Sequence, residues 1–315
     1  MKTVLITAIA GDIAQSIALI IREAYPYCRI LGMDIHERHG AALYVDRCFV
    51  APRVSSPGYR IWLEGLIQRE GIDACVPGSE PELRFFAAAG LTEIAGARLV
   101  MPNAQAILIG MDKLSTVRFL AAAGCPVPWT IPAGEAEVGT PFPCIFKPRR
   151  SAGSIGVHIC RSLEEARFHG GQSPDAVLQE LLLPDDQEVT CALYRAVDGR
   201  IAVLQLLRKL GGGVTGWAKV IDDHAARAQC EIVAKALDLR GSINVQLRLT
   251  PHGPRIFEIN PRFSSTVLIR DKMGFRDVVW AIDEMLGREV KFSFPQVGSI
   301  AVRTHGAAVL DYEEL

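Results

Sequence analysis

The first hundred residues alternate short apolar strand patterns with amphipathic helical ones, an order that restricts this part of the chain to a parallel, doubly wound sheet. Val4 to Thr7 predicts a first strand, Ala10-Gly11-Asp12 a turn, and Ile13 to Ala24 a helix with Asp12 in its first turn. Arg29 to Met33 predicts the next strand, which ends at Asp34. Further strands are expected at Cys48 to Ala51, Ala74 to Val76 and Leu99 to Met101, with helices at Tyr59 to Glu70 and Glu82 to Ala89. At 315 residues the chain exceeds the size that one core usually supports, so two or three subdomains are expected. A composition shift after Pro102 to Gly110 places the main boundary near residue 110.

Asp34, at the end of the second strand, stands where a dinucleotide fold carries its ribose-binding acid. The first turn reads Ala8-Ile9-Ala10-Gly11-Asp12-Ile13 and lacks the glycine fingerprint, so NAD binding is not expected. Strand ends that face some other ligand fit better. Pro77 to Glu82 comes after another strand, at the sheet edge where such folds bind ligands, which makes Glu80 and Glu82 candidate substrate contacts. Glu82 equally suits a helix first turn.

Beyond residue 110 the patterns change. Asp112-Lys113 opens a helix over Leu114 to Ala123, closed by Gly124 and followed by Pro126 and Pro128. Pro143 to Pro148 reads as a strand with Lys147 at its end. The adjoining Arg149 to Val157 carries two arginines, Ser151, Ser154 and Gly156, a composition that leaves backbone N–H groups free to approach an anion. This is not the Walker A pattern, so a P-loop enzyme is not expected. Lys113 and Lys147, each beside a turn, are positioned to reach one polyphosphate.

Gly241 to Leu249 and the strand ending at Phe257-Glu258-Ile259-Asn260 flank Thr250 to Pro254, whose turn residues predict a hairpin. Glu258 and Asn260, two apart on a strand, share a face, and Gln246 is placed to meet Glu258 across the ladder. Three oxygen donors on adjacent strands suit Mg²⁺ shared with substrate phosphates, and Arg262 lies in phase with them. Val177 to Leu182 and Glu188 to Leu193 predict two more strands. Backbone groups near Glu180 and Leu182 suit an adenine edge, and Glu188 suits ribose hydroxyls. The glycine-rich hairpin Arg208 to Trp217 offers Arg208, Lys209 and Thr215 to an anionic substrate, while Ser264, Ser265 and Thr266 either add hydrogen bonds or cap the next helix.

Taken in order, Asp112-Lys113, Phe146-Lys147-Pro148, the loop Ser151 to Val157, Gln179-Glu180, Glu188, Asn244-Val245-Gln246 and Glu258 to Arg262 resemble the ATP-grasp superfamily, in particular its carbamoyl-phosphate-synthase-large-chain-like group. The resemblance runs over roughly residues 111 to 270, and the N-terminal unit resembles the pre-ATP-grasp domain that precedes it. It implies an α/β chain with a doubly wound parallel-sheet domain at 1–110 and a two-subdomain α+β ATP-grasp domain at 111–315, with a lid at about 115–183 and a C-terminal subdomain at about 184–315. It implies ATP held by Lys113 and Lys147, by Ser151, Ser154 and Gly156, by Glu180 and Leu182 on adenine, and by Glu188 on ribose. It further implies Mg²⁺ or Mn²⁺ on Gln246, Glu258 and Asn260, with Arg262 and Lys147 catalytic and Glu80, Arg208, Lys209, Thr215 and Arg262 near the substrate.

The implied chemistry is attack of a carboxylate on the γ-phosphate and capture of the acyl phosphate by a nitrogen nucleophile. A single unit rather than a tandem pair points to a stand-alone carboxylate–amine ligase. The alternatives are a split carbamoyl-phosphate-synthase-like subunit working with a partner, or a non-catalytic nucleotide-binding protein. Composition agrees with a folded enzyme of small molecules: 49% hydrophobic residues and a net charge of −1 suggest neither disorder nor a nucleic-acid partner. The eight cysteines contain no C-x-x-C pair and read as small buried apolar groups in a reducing compartment. With no signal-peptide pattern and no membrane-length apolar run, a cytoplasmic protein is expected, with a homodimer left open.

Overall fold

A computed structural model describes residues 1–150 and 155–304. The N-terminal part contains β1 (Thr3–Thr7), α1 (Asp12–Ala24), β2 (Arg29–Asp34), β3 (Arg47–Val50), α2 (Tyr59–Glu70), β4 (Ala74–Val76), α3 (Glu80–Ala88), β5 (Glu93–Ile94) and β6 (Ala97–Leu99). Its sheet runs β3-β2-β1-β4-β6-β5, with β5 alone antiparallel to its neighbour. Strands of a parallel sheet are covered on both faces, which is why Val4-Leu5-Ile6 is apolar without alternation. Val4 and Ile6 point to one core and Leu5 to the other.

The chain continues through α4 (Ala104–Gly110), α5 (Lys113–Ala122), β7 (Thr130–Pro132), β8 (Cys144–Pro148), β9 (His158–Cys160), α6 (Leu163–Gln172) and β10 (Ala176–Glu180). These strands form an antiparallel sheet ordered β7-β10-β8-β9. Next come β11 (Glu188–Arg195), β12 (Ile201–Gly211), β13 (Val214–Ile221), α7 (His224–Ala236), β14 (Gly241–Thr250), β15 (Gly253–Asn260), α8 (Val267–Lys272), α9 (Asp277–Met285) and β16 (Ile300–Val302). The third sheet is antiparallel and ordered β15-β14-β11-β12-β13-β16. Its alternation is strict: Val189, Cys191 and Leu193 face the core under α7, whereas Ala192 and Tyr194 face Phe275 and Trp280.

The cores do not follow the sequence boundary near residue 110. Ala106 of α4 and Leu120 of α5 belong to the core of the third sheet. Val267, Val278, Val279 and Ile282, from α8 and α9, pack with α1 on the N-terminal sheet. The far end of the chain therefore covers one face of its beginning. Expected elements agree with those observed to within two residues at most ends, and the helix expected from Glu82 starts at Glu80, where the Ser79 side chain caps it on the Glu82 N–H.

A buried ion pair and a close backbone approach each constrain this framework. Arg270, fully buried, binds Asp277 through Nε at 2.8 Å and Nη2 at 2.6 Å, and donates to Ser264 Oγ at 2.9 Å. Arg270→Met strands the Asp277 carboxylate in the interior and is expected to destabilise the fold by about 3–5 kcal/mol, read by urea unfolding. A change below about 1 kcal/mol would contradict that role. Gly78, after β4, sits so close to β1 that an added Cβ would lie 2.2 Å from the Thr7 carbonyl oxygen. Gly78→Ala must push the two strand ends apart, destabilising by about 1–3 kcal/mol, measured in the same way.

Candidate nucleotide cleft

A cavity of about 410 Å³ lies where the second sheet, the third sheet and the N-terminal unit meet. The second sheet contributes Ile145, Lys147 and Gln179, and the third contributes Gln246, Glu258 and Asn260. Asp12 and Ile13 at the start of α1 close its N-terminal side. Lys113, Arg262, Ser264 and Ser265 also face it. One cavity thus gathers residues spread over more than two hundred and fifty positions of sequence, as catalytic and binding sites commonly do.

Lys147 ends an otherwise apolar strand and is 6% exposed. Its ammonium donates to Gln179 Oε1 at 2.7 Å and to the Phe257 carbonyl at 3.4 Å, and it stands 5.7 Å from the centre of the Phe257 ring. Gln179 is fixed in turn by donating from Nε2 to Thr130 Oγ1 at 2.9 Å. Burial drives the Lys147 pKa down to about 8, with Glu258 opposing the shift and Lys113 adding to it. Lys113 Nζ lies 3.8 Å from Glu258 Oε1. Two lysines and the Glu258 carboxylate share one cavity wall, a concentration of charged groups of the kind found at binding sites.

The β14–β15 ladder pairs Gln246 with Glu258 and Asn244 with Asn260, as the hairpin reading expects. One carboxylate and two amides on a half-buried wall fit a hard cation that brings phosphate oxygens with it. No cluster of three His, Cys, Asp or Glu residues occurs among the described residues, so this donor set is no all-protein cage. Arg262 Nη2 reaches Glu80 Oε1 at 3.3 Å and ties the start of α3 to the cavity wall.

At the opposite end, Glu188 is held from both sides: Arg208 Nη2 donates to Oε1 at 2.6 Å and Arg248 Nη2 to Oε2 at 2.8 Å. Arg248 also reaches the Leu182 carbonyl at 3.2 Å. Glu188, Leu182, Arg208 and Arg248 all face the cavity. The Glu180 N–H is engaged with the Trp129 carbonyl at 3.0 Å, and its carboxylate accepts from the Trp129 N–H at 3.2 Å. Of the backbone groups around Glu180 and Leu182 expected on an adenine edge, the Glu180 N–H is thus engaged within the second sheet.

Several expected contacts fall elsewhere. Lys209 is exposed and absent from the cavity lining, because strand alternation turns it away from the face that carries Arg208. Thr215 is fully buried behind the wall, where its hydroxyl lies 3.5 Å from Arg208 Nη1. Glu80 stands outside the lining and touches it only through Arg262. Glu82 is buried and accepts from the Thr7 and Ser79 hydroxyls, both at 2.6 Å, so it organises strand ends instead of meeting substrate in this cleft. Gly156 adopts φ +73° against Pro148, a conformation glycine supplies at no steric cost, while its neighbour Val157 faces the cavity.

Arg149 and Arg150 do not supply charge to the cavity. Arg149 Nε binds Asp112 Oδ1 at 2.7 Å, and Arg150 bridges Asp112 at 3.1 Å and Asp175 at 2.7 Å. Burial raises the Asp112 pKa, but the hydrogen bond from Arg149, the Ser115 N–H and the Arg150 charge together hold it below the usual carboxylate range. The pair anchors the second sheet to the start of α5. Ser151 and Ser154 lie outside the described residues.

Sequence reasoning assigns no role to Gln179, Asp12 or Arg248. All are polar side chains inside or beside apolar segments, and Gln179 lies two residues from Val177, the register partner of Lys147, on the same face. That polar interruption is the signal the sequence offers. Ser264 and Ser265 both face the cavity, and the Ser264 hydroxyl is also held by Arg270.

Two antiparallel sheets enclosing a lysine-rich, oxygen-lined cleft beside a parallel-sheet unit define the ATP-grasp class of nucleotide-binding proteins. Over part of its length the chain resembles the ATP-grasp superfamily. A family described as "ATP-grasp in the biosynthetic pathway with Ter operon" matches residues 172–306. D-alanine–D-alanine ligase of Nocardia farcinica is 30% identical over 217 residues, covering 56% of this chain and 58% of that protein. The Mycobacterium bovis enzyme of the same name is 29% identical over 211 residues, covering 54% and 55%. The chain thus spans less than two thirds of the curated relatives it matches. In fold it is similar to N5-carboxyaminoimidazole ribonucleotide synthetase from Thermus thermophilus, with TM-score 0.73, 18% identity and coverage of 95% and 82%. It is likewise similar to the L-amino acid ligase from Bacillus licheniformis, with TM-score 0.72, 16% identity and coverage of 91% and 74%. Among the described residues no helix is long and apolar enough to cross a membrane.

Proposed function

We propose that this chain is an ADP-forming ligase that activates a small carboxylate with ATP and joins it to a nitrogen nucleophile. The observation that carries the reading is the convergence of Lys113, Lys147, Gln246, Glu258, Asn260 and Arg262 on one cavity. Lys147 and Lys113 bind the phosphates, and the adenosine lies toward Leu182 and Glu188. Gln246, Glu258 and Asn260 hold Mg²⁺, or Mn²⁺ in its place, which when bound neutralises charge on the transferring phosphoryl group.

A carboxylate oxygen of the substrate attacks the γ-phosphorus, ADP departs, and an acyl phosphate forms. The amine then attacks the acyl carbon, loses a proton, and phosphate leaves. No protein nucleophile enters this sequence. The residues supply charge at the transferring group, orientation and a drained cleft, and Arg262 stands beside the phosphoryl acceptor. Relatives named as D-alanine–D-alanine ligase and a fold shared with an L-amino acid ligase support a carboxylate–amine reaction over other uses of the cleft.

The test is Mg²⁺-dependent ADP release against pools of small carboxylates with hydroxylamine present. A hydroxamate formed with one pool is the expected result. ADP release with no hydroxamate in any pool, at saturating hydroxylamine, would contradict the acyl-phosphate route.

A further inference from the structure

A second cavity of about 460 Å³ opens at the C-terminal edge of the N-terminal sheet and shares no lining residue with the cleft described above. Its size falls in the range of small-molecule sites, about 300–1,000 Å³, and its walls are largely apolar, with Met33, Ala51 and Val54 prominent. Two buried carboxylates belong to its lining, Asp34 at the end of β2 and Glu82 in α3, alongside the more exposed His36 and Arg53. Both carboxylates are held by uncharged donors. Asp34 accepts the Ala10 N–H at 3.1 Å on Oδ2 and the His36 N–H at 3.2 Å on Oδ1. Glu82 accepts from Tyr59 at 2.7 Å, besides Thr7 and Ser79.

A carboxylate offers about four acceptor positions, so each oxygen of Asp34 keeps capacity for one further donor. Two acceptors on one planar group match the two hydroxyls of a vicinal diol. In open α/β sheets, ligands bind outside the carboxyl ends of the strands, and an acid at the end of the second strand is the usual ribose contact. The turn between β1 and α1 is unlike that of a dinucleotide site. Ala8 and Ala10 replace glycines, Ala8 itself faces the cavity at φ 51°, and Asp12 places negative charge in the first turn of α1. The alanine side chains keep backbone N–H groups from a pyrophosphate, and the two carboxylates of this cavity, Asp34 and Glu82, oppose an anion.

We propose that this second cavity binds an unphosphorylated nucleoside. The ribose diol rests on Asp34, and the base lies against Ala51 and Val54. The exposed Arg53 and His36 at the rim present planar groups that stack on the ring. The carboxylates select against a 5′-phosphate.

The proposal is tested by equilibrium dialysis of the full chain with adenosine, guanosine, cytidine and uridine. A non-hydrolysable MgATP analogue is held at saturation so that the nucleotide cleft is closed to the probes. At least one nucleoside is expected to bind one per chain. Its 2′,3′-dideoxy form and its 5′-monophosphate should each bind about tenfold or more weakly, as loss of hydrogen bonds to a charged group or added repulsion predicts. Val54→Trp, which fills the cavity, should abolish nucleoside binding while leaving the analogue's affinity unchanged. Asp34→Asn should weaken the nucleoside by about tenfold. Absence of binding by all four nucleosides would overturn the proposal, as would full displacement by the analogue. Undiminished binding to both variants, or tighter binding of the monophosphate, would do the same.

Discussion

Glu258→Gln is expected to lower turnover by about two orders of magnitude or more with little change in stability, because it removes the one carboxylate among the three donors facing the phosphates. The amide keeps the shape of the side chain and the register with Gln246, so circular dichroism and urea midpoint should match the native protein. The ADP-release rate should respond to Mg²⁺ only at much higher concentration. A glutamine variant with native turnover at native Mg²⁺ concentrations would remove Glu258 from the site. The substitution also removes the carboxylate charge that lies 3.8 Å from the Lys113 ammonium. ATP binding is therefore expected to weaken less than turnover: loss of a metal ligand and loss of a competitor for Lys113 act in opposite directions on nucleotide affinity.

Lys147→Met is expected to weaken ATP binding by about 10- to 100-fold, the usual range for a hydrogen bond to a charged group. Methionine fills the lysine stem's place in the strand, so the loss is read as charge and not as a cavity. The pH dependence separates this from simple misfolding. In the free protein Lys147 titrates near pH 8 because of its burial, while phosphates stabilise its charged form. Below pH 8 the lysine is already protonated and ATP affinity is flat with respect to this group. Above pH 8 binding must take up a proton, so affinity falls by up to about tenfold per pH unit. The methionine variant should lack that slope.

Lys147 also affects stability. The unfolded chain, with a lysine pKa near 10.5, binds more protons than the folded one between about pH 8 and that value, so Lys147 makes the free protein more stable as pH rises through this window. Below pH 8 both states hold the proton, and the burial cost is fully present. On the proposed function, bound nucleotide would offset that cost by stabilising the charged lysine.

Much of the cleft is readable from sequence because its parts are local. The turn residues announce the hairpin, but the pairing of Gln246 with Glu258 also needs a β-bulge that skips Phe257; register counted from the turn alone would set Gln246 opposite Phe257. Strand alternation, applied to Arg208 and Lys209, separates them onto opposite faces, and only Arg208 reaches the cavity. Contacts between distant segments carry no such signal. Arg149 and Arg150 read as charge beside an anion-binding loop, whereas in the structure Asp112 and Asp175 hold them. Glu188 reads as a free acceptor, yet two arginines from other strands bind its carboxylate. The packing of α8 and α9 on α1 joins residues some 250 positions apart, and no local periodicity encodes it. Asp34 is legible as a strand-end acid, but the cavity above it requires the segment from Ala51 to Ser55 after β3, and Tyr59 of α2, to be in place.

Calorimetric titration asks whether the cleft between the second and third sheets holds MgATP. MgATP is added to the native chain and to the Lys147→Met and Glu258→Gln proteins, and ATP without Mg²⁺ to each in parallel. The account predicts one nucleotide per chain, binding strengthened by Mg²⁺ in the native protein, a weakened site in the methionine variant, and a blunted Mg²⁺ effect in the glutamine variant. Native affinity in both variants, or binding indifferent to Mg²⁺, would contradict it.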